Sequence, residues 1–374
     1  MGIGIYVHFP FCVSKCKYCN FNSYSDKNHL QLDYLRALTN EIKKYADKKV
    51  VVDSIFIGGG TPSFMFDGCI STLITTIKDS FSLIENAEIS IECNPNSVTS
   101  KKVYEWKDSG VNRVSVGLQS TNINTLKLIG RSHTVKDYVN AIETVKMCGI
   151  SNINTDCLVG LPRQKLSHVK HTLKMITKLE CTHVSVYSLI LEEDTPLFKL
   201  VSDGELSLPA EDKVLNMYNF AYDYLEKSGY HRYEVSNFAK DGFECNHNLN
   251  TWKMGEYLGF GAGAHSYFKG VRYCNISAIE NYIDELKKDN LPIENKEKIS
   301  ESEKYEETIM LGLRTKYGIN TKEIFKNFKI DILKSKEKEI EELLLENLIV
   351  IKDDNIIATD LGFTVLNKII LDLV

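Results

Sequence analysis

The chain reads as an α/β protein: a partial (β/α)6, TIM-like barrel followed by a winged-helix-like C-terminal region. Three observations predict this. Six short β-branched or aromatic runs are each followed by a helical stretch, each run ends in polar or glycine-rich residues, and the composition changes near residue 300. The runs fall at residues 2–8, 52–57, 88–93, 113–118, 152–158 and 183–189, with amphipathic stretches such as 32–45, 70–81 and 135–148 between them. Strands that alternate with helices imply βαβ units and a parallel sheet. Parallel barrels carry their sites where the strands end. Here those ends hold His8-Phe9-Pro10, Gly58-Gly59-Gly60-Thr61, Glu92, Gln119, Asp156 and Tyr187.

Residues 1–240 form the expected barrel with its cysteine loop, 241–299 a segment that closes it, and 300–374 the C-terminal domain. The second region includes a predicted helix at 212–227 and a predicted strand at 232–238. His265 is expected near the barrel mouth. From residue 302 the pattern runs helix (302–314), short helix (321–328), charged helix (336–347), hairpin (348–359) and final helix. That order resembles a winged helix. Glu337, Glu339, Glu341, Glu342 and Glu346 would repel a phosphate backbone, so packing or partner docking is the expected role.

Hydrophobic residues make up 43% of the 374, charged residues 25%, and the formal net charge is −5. That balance argues against a broad nucleic-acid face. No stretch approaches the ~20 apolar residues of a membrane span, and the N-terminus lacks the pattern of a signal peptide. The expectation is a cytoplasmic protein, monomer or dimer, with peripheral membrane contact left open.

Ten cysteines lie at 12, 16, 19, 69, 93, 148, 157, 181, 245 and 274. A reducing compartment disfavours disulfides. The seven scattered ones are expected to be small buried hydrophobes. Cys12, Cys16 and Cys19 are different: three thiolates on one loop can take three corners of a [4Fe–4S] cube. Asn20-Phe21-Asn22-Ser23 follows, with no fourth ligand, so one iron is left open. Zinc sites usually pair two CxxC knuckles and close four ligands; here the spacing is three then two, and there is no second knuckle.

The segment Tyr6-Val-His-Phe-Pro-Phe-Cys-Val-Ser-Lys-Cys-Lys-Tyr-Cys resembles the signature of radical S-adenosylmethionine proteins. More narrowly it is similar to the oxygen-independent coproporphyrinogen III oxidases and their haem-chaperone relatives, from residue 4 to near the C-terminus. The resemblance implies that S-adenosylmethionine chelates the open iron and that the reduced cluster cleaves it to a 5′-deoxyadenosyl radical. It implies a cofactor pocket made by Tyr6, Tyr18, Gly59, Gly60, Thr61 and Glu92. Gln119, Arg131 and Asp156 match residues that surround a second cofactor molecule in the oxidase. Read alone, Arg131 also fits a surface ion pair and Asp156 a helix cap.

Two departures separate the chain from the oxidase. That enzyme places a fourth cysteine where Phe21 stands, and it carries an N-terminal extension where only eleven residues precede Cys12. Both match the chaperone group. So does Cys245-Asn246-His247-Asn248-Leu249-Asn250-Thr251-Trp252, similar to an HNxxYW segment implicated in haem handling, with Thr251 in place of the tyrosine. On this reading His247 is a candidate haem ligand and haem is the cargo, delivered to acceptors such as respiratory cytochromes. An electron donor serves the cluster. The alternative is the oxidase reaction itself, removal of carboxyl groups from coproporphyrinogen III.

Overall fold

The computed structural model describes residues 2–374. Six parallel strands follow chain order: β1 (Ile3–Phe9), β2 (Val51–Gly59), β3 (Ser82–Cys93), β4 (Arg113–Gln119), β5 (Asn152–Val159) and β6 (His183–Ser188). Each pairs in parallel with the next. All seven residues of β4 are buried, because helices cover the sheet on one side and side chains fill the other. Strands buried on both faces read as continuous apolar runs. β3 begins six residues before the predicted start. Its first residues are half-buried or exposed, and Glu85 and Asn86 interrupt the apolar pattern, yet Ser82 and Leu83 pair with Val51 and Val52.

The crossover helices are Gln31–Lys44, Cys69–Ser80, Ser100–Ser109, Val135–Met147 and Leu166–Lys178. Each buries one stripe, as helical spacing dictates; in the first the stripe is Tyr34, Leu35, Leu38, Glu41 and Ile42. Glu41 is the polar exception. Its carboxylate accepts from Gly261 N–H (2.9 Å), Asn275 Nδ2 (2.6 Å) and the Tyr282 hydroxyl (2.6 Å). Tyr34 donates to the His8 carbonyl and accepts from Ala262 N–H, both at 2.8 Å. These bonds fix the end of β1, where the cysteine loop begins.

The sheet stays open. Beyond β6 lie β7 (His231–Arg232) and β8 (Asn237–Ala239), with β8 antiparallel to β6. Beyond β1, β9 (Tyr257–Phe260) pairs in parallel and β10 (His265–Phe268), β11 (Val271–Asn275) and β12 (Ile293–Lys298) continue antiparallel. Segment 241–299, expected to close the barrel, therefore extends the β1 edge. The strand predicted at 232–238 is two short strands, because the Tyr233 N–H turns back onto the Asn237 carbonyl at 3.1 Å. His265 is exposed.

A separate core, including Ile309, Leu313, Ile340, Leu343, Ile356 and Ile369, holds the C-terminal region together. Helices Glu301–Gly312, Thr321–Phe328, Ile332–Ser335 and Glu337–Leu345 precede the hairpin of Ile349–Lys352 and Asn355–Ala358. The winged-helix-like order is the one predicted. Arg232 joins the two cores: its guanidinium lies 3.8 Å from the Phe363 ring centroid and 2.7 Å from Asp360. Among the described residues, no helix is long and apolar enough to cross a membrane.

Candidate functional site

The cysteine loop leaves the C-terminal end of β1 and is clamped at both ends. Cys12 N–H donates to the Tyr24 carbonyl (2.9 Å), and Lys17 N–H to the Ile129 carbonyl (3.0 Å). Gly60 and Thr61 N–H groups donate to the Phe9 and Phe11 carbonyls at 2.7 and 2.8 Å, which sets the glycine turn directly behind the loop. Gly59 has φ +109°, and a Cβ there would lie 2.7 Å from the His8 ring; one on Gly60 would lie 2.7 Å from the Phe11 carbonyl. Only glycine lets the two segments approach this closely. The Thr61 hydroxyl lies 3.5 Å from Cys12 Sγ.

All three thiols face one pocket. Burial raises the Cys12 and Cys19 thiols, and each also feels the neighbouring cysteines. A positive centre between them would reverse that shift and hold them as thiolates. No three His, Cys, Asp or Glu side chains among the described residues converge on a point that would hold a single ion. Three thiols facing one pocket fit the donor set of an iron–sulfur cluster.

The same pocket gathers Tyr18, Gly59, Gly60, Thr61, Glu92, Gln119, Arg131 and Asp156. These come from the loop, the ends of β2, β3, β4 and β5, and the segment after β4. Glu92 accepts from Gly59 N–H at 3.1 Å. Burial first, and then the Asp156 charge, push its carboxyl up to about 8. It therefore keeps a proton near neutral pH and can both donate to and accept from hydroxyl groups. Burial also raises Asp156, which accepts from Asn154 Nδ2 at 2.8 Å and caps no helix. Arg131 donates to the Gly117 carbonyl and lies 3.6 Å from Cys16 Sγ, while its buried Nε has no partner. It forms no surface ion pair. Gln119 has φ +65° at a break in the β4–β5 register. Such strain in a non-glycine residue concentrates at functional sites.

Two predicted residues lie elsewhere. The Tyr6 hydroxyl is 2.9 Å from His8 Nδ1 and the ring stacks on Phe56, so Tyr6 sits beneath the pocket and outside its wall. His247 is only 8% exposed. Its Nδ1 is 3.1 Å from the Ser54 hydroxyl and its ring packs on Phe56 at 5.4 Å. Burial pushes it down to about 4. The imidazole belongs to the core, and its neighbour Asn248 reaches the cavity instead. The expectation of a haem-ligating His247 is corrected on that packing.

A larger cavity, about 380 Å³, adjoins the cysteine pocket. It shares Tyr18, Cys19, Phe21, Glu92, Gln119 and Asp156 with it and adds apolar walls from Phe56, Leu158, Leu189 and Ile190. Arg113 also lines it, although the residue is 2% exposed and its Nε has no partner. The sequence marked Arg113 only as a strand start. A cation opening a buried strand was the signal available. Cys93 and Asn94 were missed as pocket residues too. Asn94 Nδ2 donates to the Thr61 hydroxyl at 3.2 Å. The Cys93 thiol is turned to the Ile91 carbonyl, 4.0 Å away.

Comparison with known proteins places this geometry. The profile of the Radical SAM superfamily matches residues 6–176, and that of the HemN C-terminal domain matches residues 299–365. Heme chaperone HemW of Bacillus subtilis is 38% identical over 323 residues, covering 85% of this chain and 84% of the relative. Heme chaperone HemW of Lactococcus lactis is 36% identical over 367 residues, covering 97% and 95%. Among solved structures, the coproporphyrinogen III oxidase HemN from Escherichia coli superposes with a TM-score of 0.87 at 21% identity, covering 100% of this chain and 90% of that one. That similarity establishes the shared fold.

Proposed function

The chain belongs to the HemW family of radical S-adenosylmethionine proteins, and from that premise we propose that it is a haem chaperone that binds haem and passes it to haem-dependent acceptors such as respiratory cytochromes. The observation that carries this reading is identity of 36–38% to relatives named heme chaperones, over 85–97% of this chain, against 21% to the oxidase. Phe21, where the oxidase would place a fourth cysteine, supports it.

In this reading Cys12, Cys16 and Cys19 would hold the [4Fe–4S] cluster that the superfamily implies. When bound, the cluster supplies a one-electron centre with an open iron for S-adenosylmethionine. The chain's own part is positional. The Gly59-Gly60 turn, free of side chains, would leave room for the cofactor beside the loop, and Glu92 offers a protonated carboxyl for hydroxyl groups. Arg131 would place a positive charge against the Cys16 sulfur. The apolar side of the larger cavity suits a flat macrocycle, and Arg113 suits a carboxylate at its edge.

Gathering Gln119, Arg131 and Asp156 in one pocket favours a second reading, the oxidase reaction. An anaerobic assay with reductant, S-adenosylmethionine and coproporphyrinogen III separates the two, since the chaperone reading expects no protoporphyrinogen. The direct test of the first is titration with haemin, following the Soret band, and then desalting. Haem should stay with protein that carries an intact cluster. Complete loss of haem would reject the chaperone reading.

A further inference from the structure

We propose that a cationic face beside the cysteine loop docks a small acidic protein that carries one electron at a time. The proposal rests on the reading that the loop holds a redox-active cluster.

Two adjoining surface clefts share Arg163 and Lys165. Lys17, Lys127 and His168 complete the first, and Lys213 extends the second. No carboxylate lines either cleft. The chain as a whole carries a net charge of −5, and most of its exposed ion pairs match a lysine or arginine with an acid. None of these five lysine and arginine side chains joins such a pair among the described residues. Glu211 and Asp212, near Lys213 in sequence, line neither cleft. The result is a local positive field on an acidic molecule.

Position ties that field to the cluster loop. Lys17 follows Cys16 directly. Its N–H holds the Ile129 carbonyl at the end of helix Ile123–Leu128, and its carbonyl accepts from Leu197 N–H at 2.8 Å. Lys127 projects from that same helix. Arg163 and Lys165 lie on the segment after β5, at the strand ends that carry the pocket. A partner seated here is therefore brought to the redox centre.

The form of the face favours a protein over a small anion. A small anion needs buried donors converging on one point. Here Lys127, Arg163, Lys165 and Lys213 are all exposed and come from three segments of the chain, which suits carboxylates spread over a protein surface and speeds encounter. The step is simple to balance: one electron leaves the reduced carrier and enters the cluster, with no bond made and no proton moved.

The test uses the full, anaerobically reconstituted chain and oxidised flavodoxin as the acidic probe. Calorimetric titration is run at about 50 mM and about 0.5 M salt. The wild type should bind at low salt and weaken at high salt. The variant K127E/R163E/K165E/K213E should bind at least about tenfold more weakly, with cluster absorbance and dithionite reduction intact. The neutral variant K127Q/R163Q/K165Q/K213Q should fall between and guards against a folding failure. Equal binding by all three, or no binding by the wild type, would overturn the proposal. Loss of haemin affinity with unchanged flavodoxin binding would also overturn it and make the face a propionate site. A wild type that takes up no reducible cluster would reject the underlying reading and the proposal with it.

Discussion

Residues 12–19 and residues 245–252 offer similar side chains and meet opposite fates. Each segment has cysteine next to polar and aromatic residues, and each reads in sequence as a candidate ligand set. In the first, three thiols face a pocket, and the backbone is held by its own amides and carbonyls. In the second, the polar groups are consumed inside the core. Glu88 accepts from Asn246 N–H (3.0 Å), His247 N–H (3.3 Å) and the Cys245 thiol (3.3 Å), and Ser54 faces the His247 ring. A ligand must be left unspent by the fold. Residue type and spacing do not show that; partners do.

The comparison can be broken most severely at the thiols. Replacing Cys12, Cys16 or Cys19 with alanine should abolish the broad cluster absorbance near 400 nm, while Cys245→Ala should keep it. Visible spectra after reconstitution decide this.

Next comes the carboxylate under the second segment. Glu88→Ala leaves four donors without their acceptor and removes one of the carboxylates near the buried Arg113, so it should cost about 3–5 kcal/mol in denaturant unfolding.

The His247 ring sharpens the contrast through pH. Its value is about 4 in the fold against the ordinary 6.5. Between those values the unfolded chain binds a proton that the folded one does not. Stability should therefore be intact above pH ~6.5 and fall as pH drops toward ~4, by up to about 3 kcal/mol from this residue. His247→Gln should flatten that slope in urea melts and leave the Soret band of bound haem unmoved. A changed Soret band would return His247 to the ligand set.

The smallest effect belongs to Phe21. The side chain is 61% exposed, so Phe21→Leu should change stability by less than about 0.5 kcal/mol and keep the cluster.

Much of this was legible in the sequence because periodicity and burial go together. All six strands of the parallel array were readable, since strands buried on both faces show as apolar runs. Eleven of the thirteen predicted site residues line the cysteine pocket, because strand ends on one rim converge whatever the side chains. Tyr6 and His247 failed for a shared reason. Tyr6 lies within β1 and His247 against it, both turned into the barrel, and a one-dimensional pattern does not tell pocket wall from core. Arg113 and Cys93 were hidden because each sits at one end of an apolar run and reads as part of the strand. The closing role expected of 241–299 failed because a sequence run does not disclose which sheet edge it will pair with.

The account stands most directly on the open iron. Electron paramagnetic resonance of the anaerobically reconstituted, dithionite-reduced chain measures it, with and without S-adenosylmethionine. About four irons per chain and a cluster signal that shifts when S-adenosylmethionine is added are the predicted result. A signal that S-adenosylmethionine leaves unchanged, or bound zinc without iron, would contradict it.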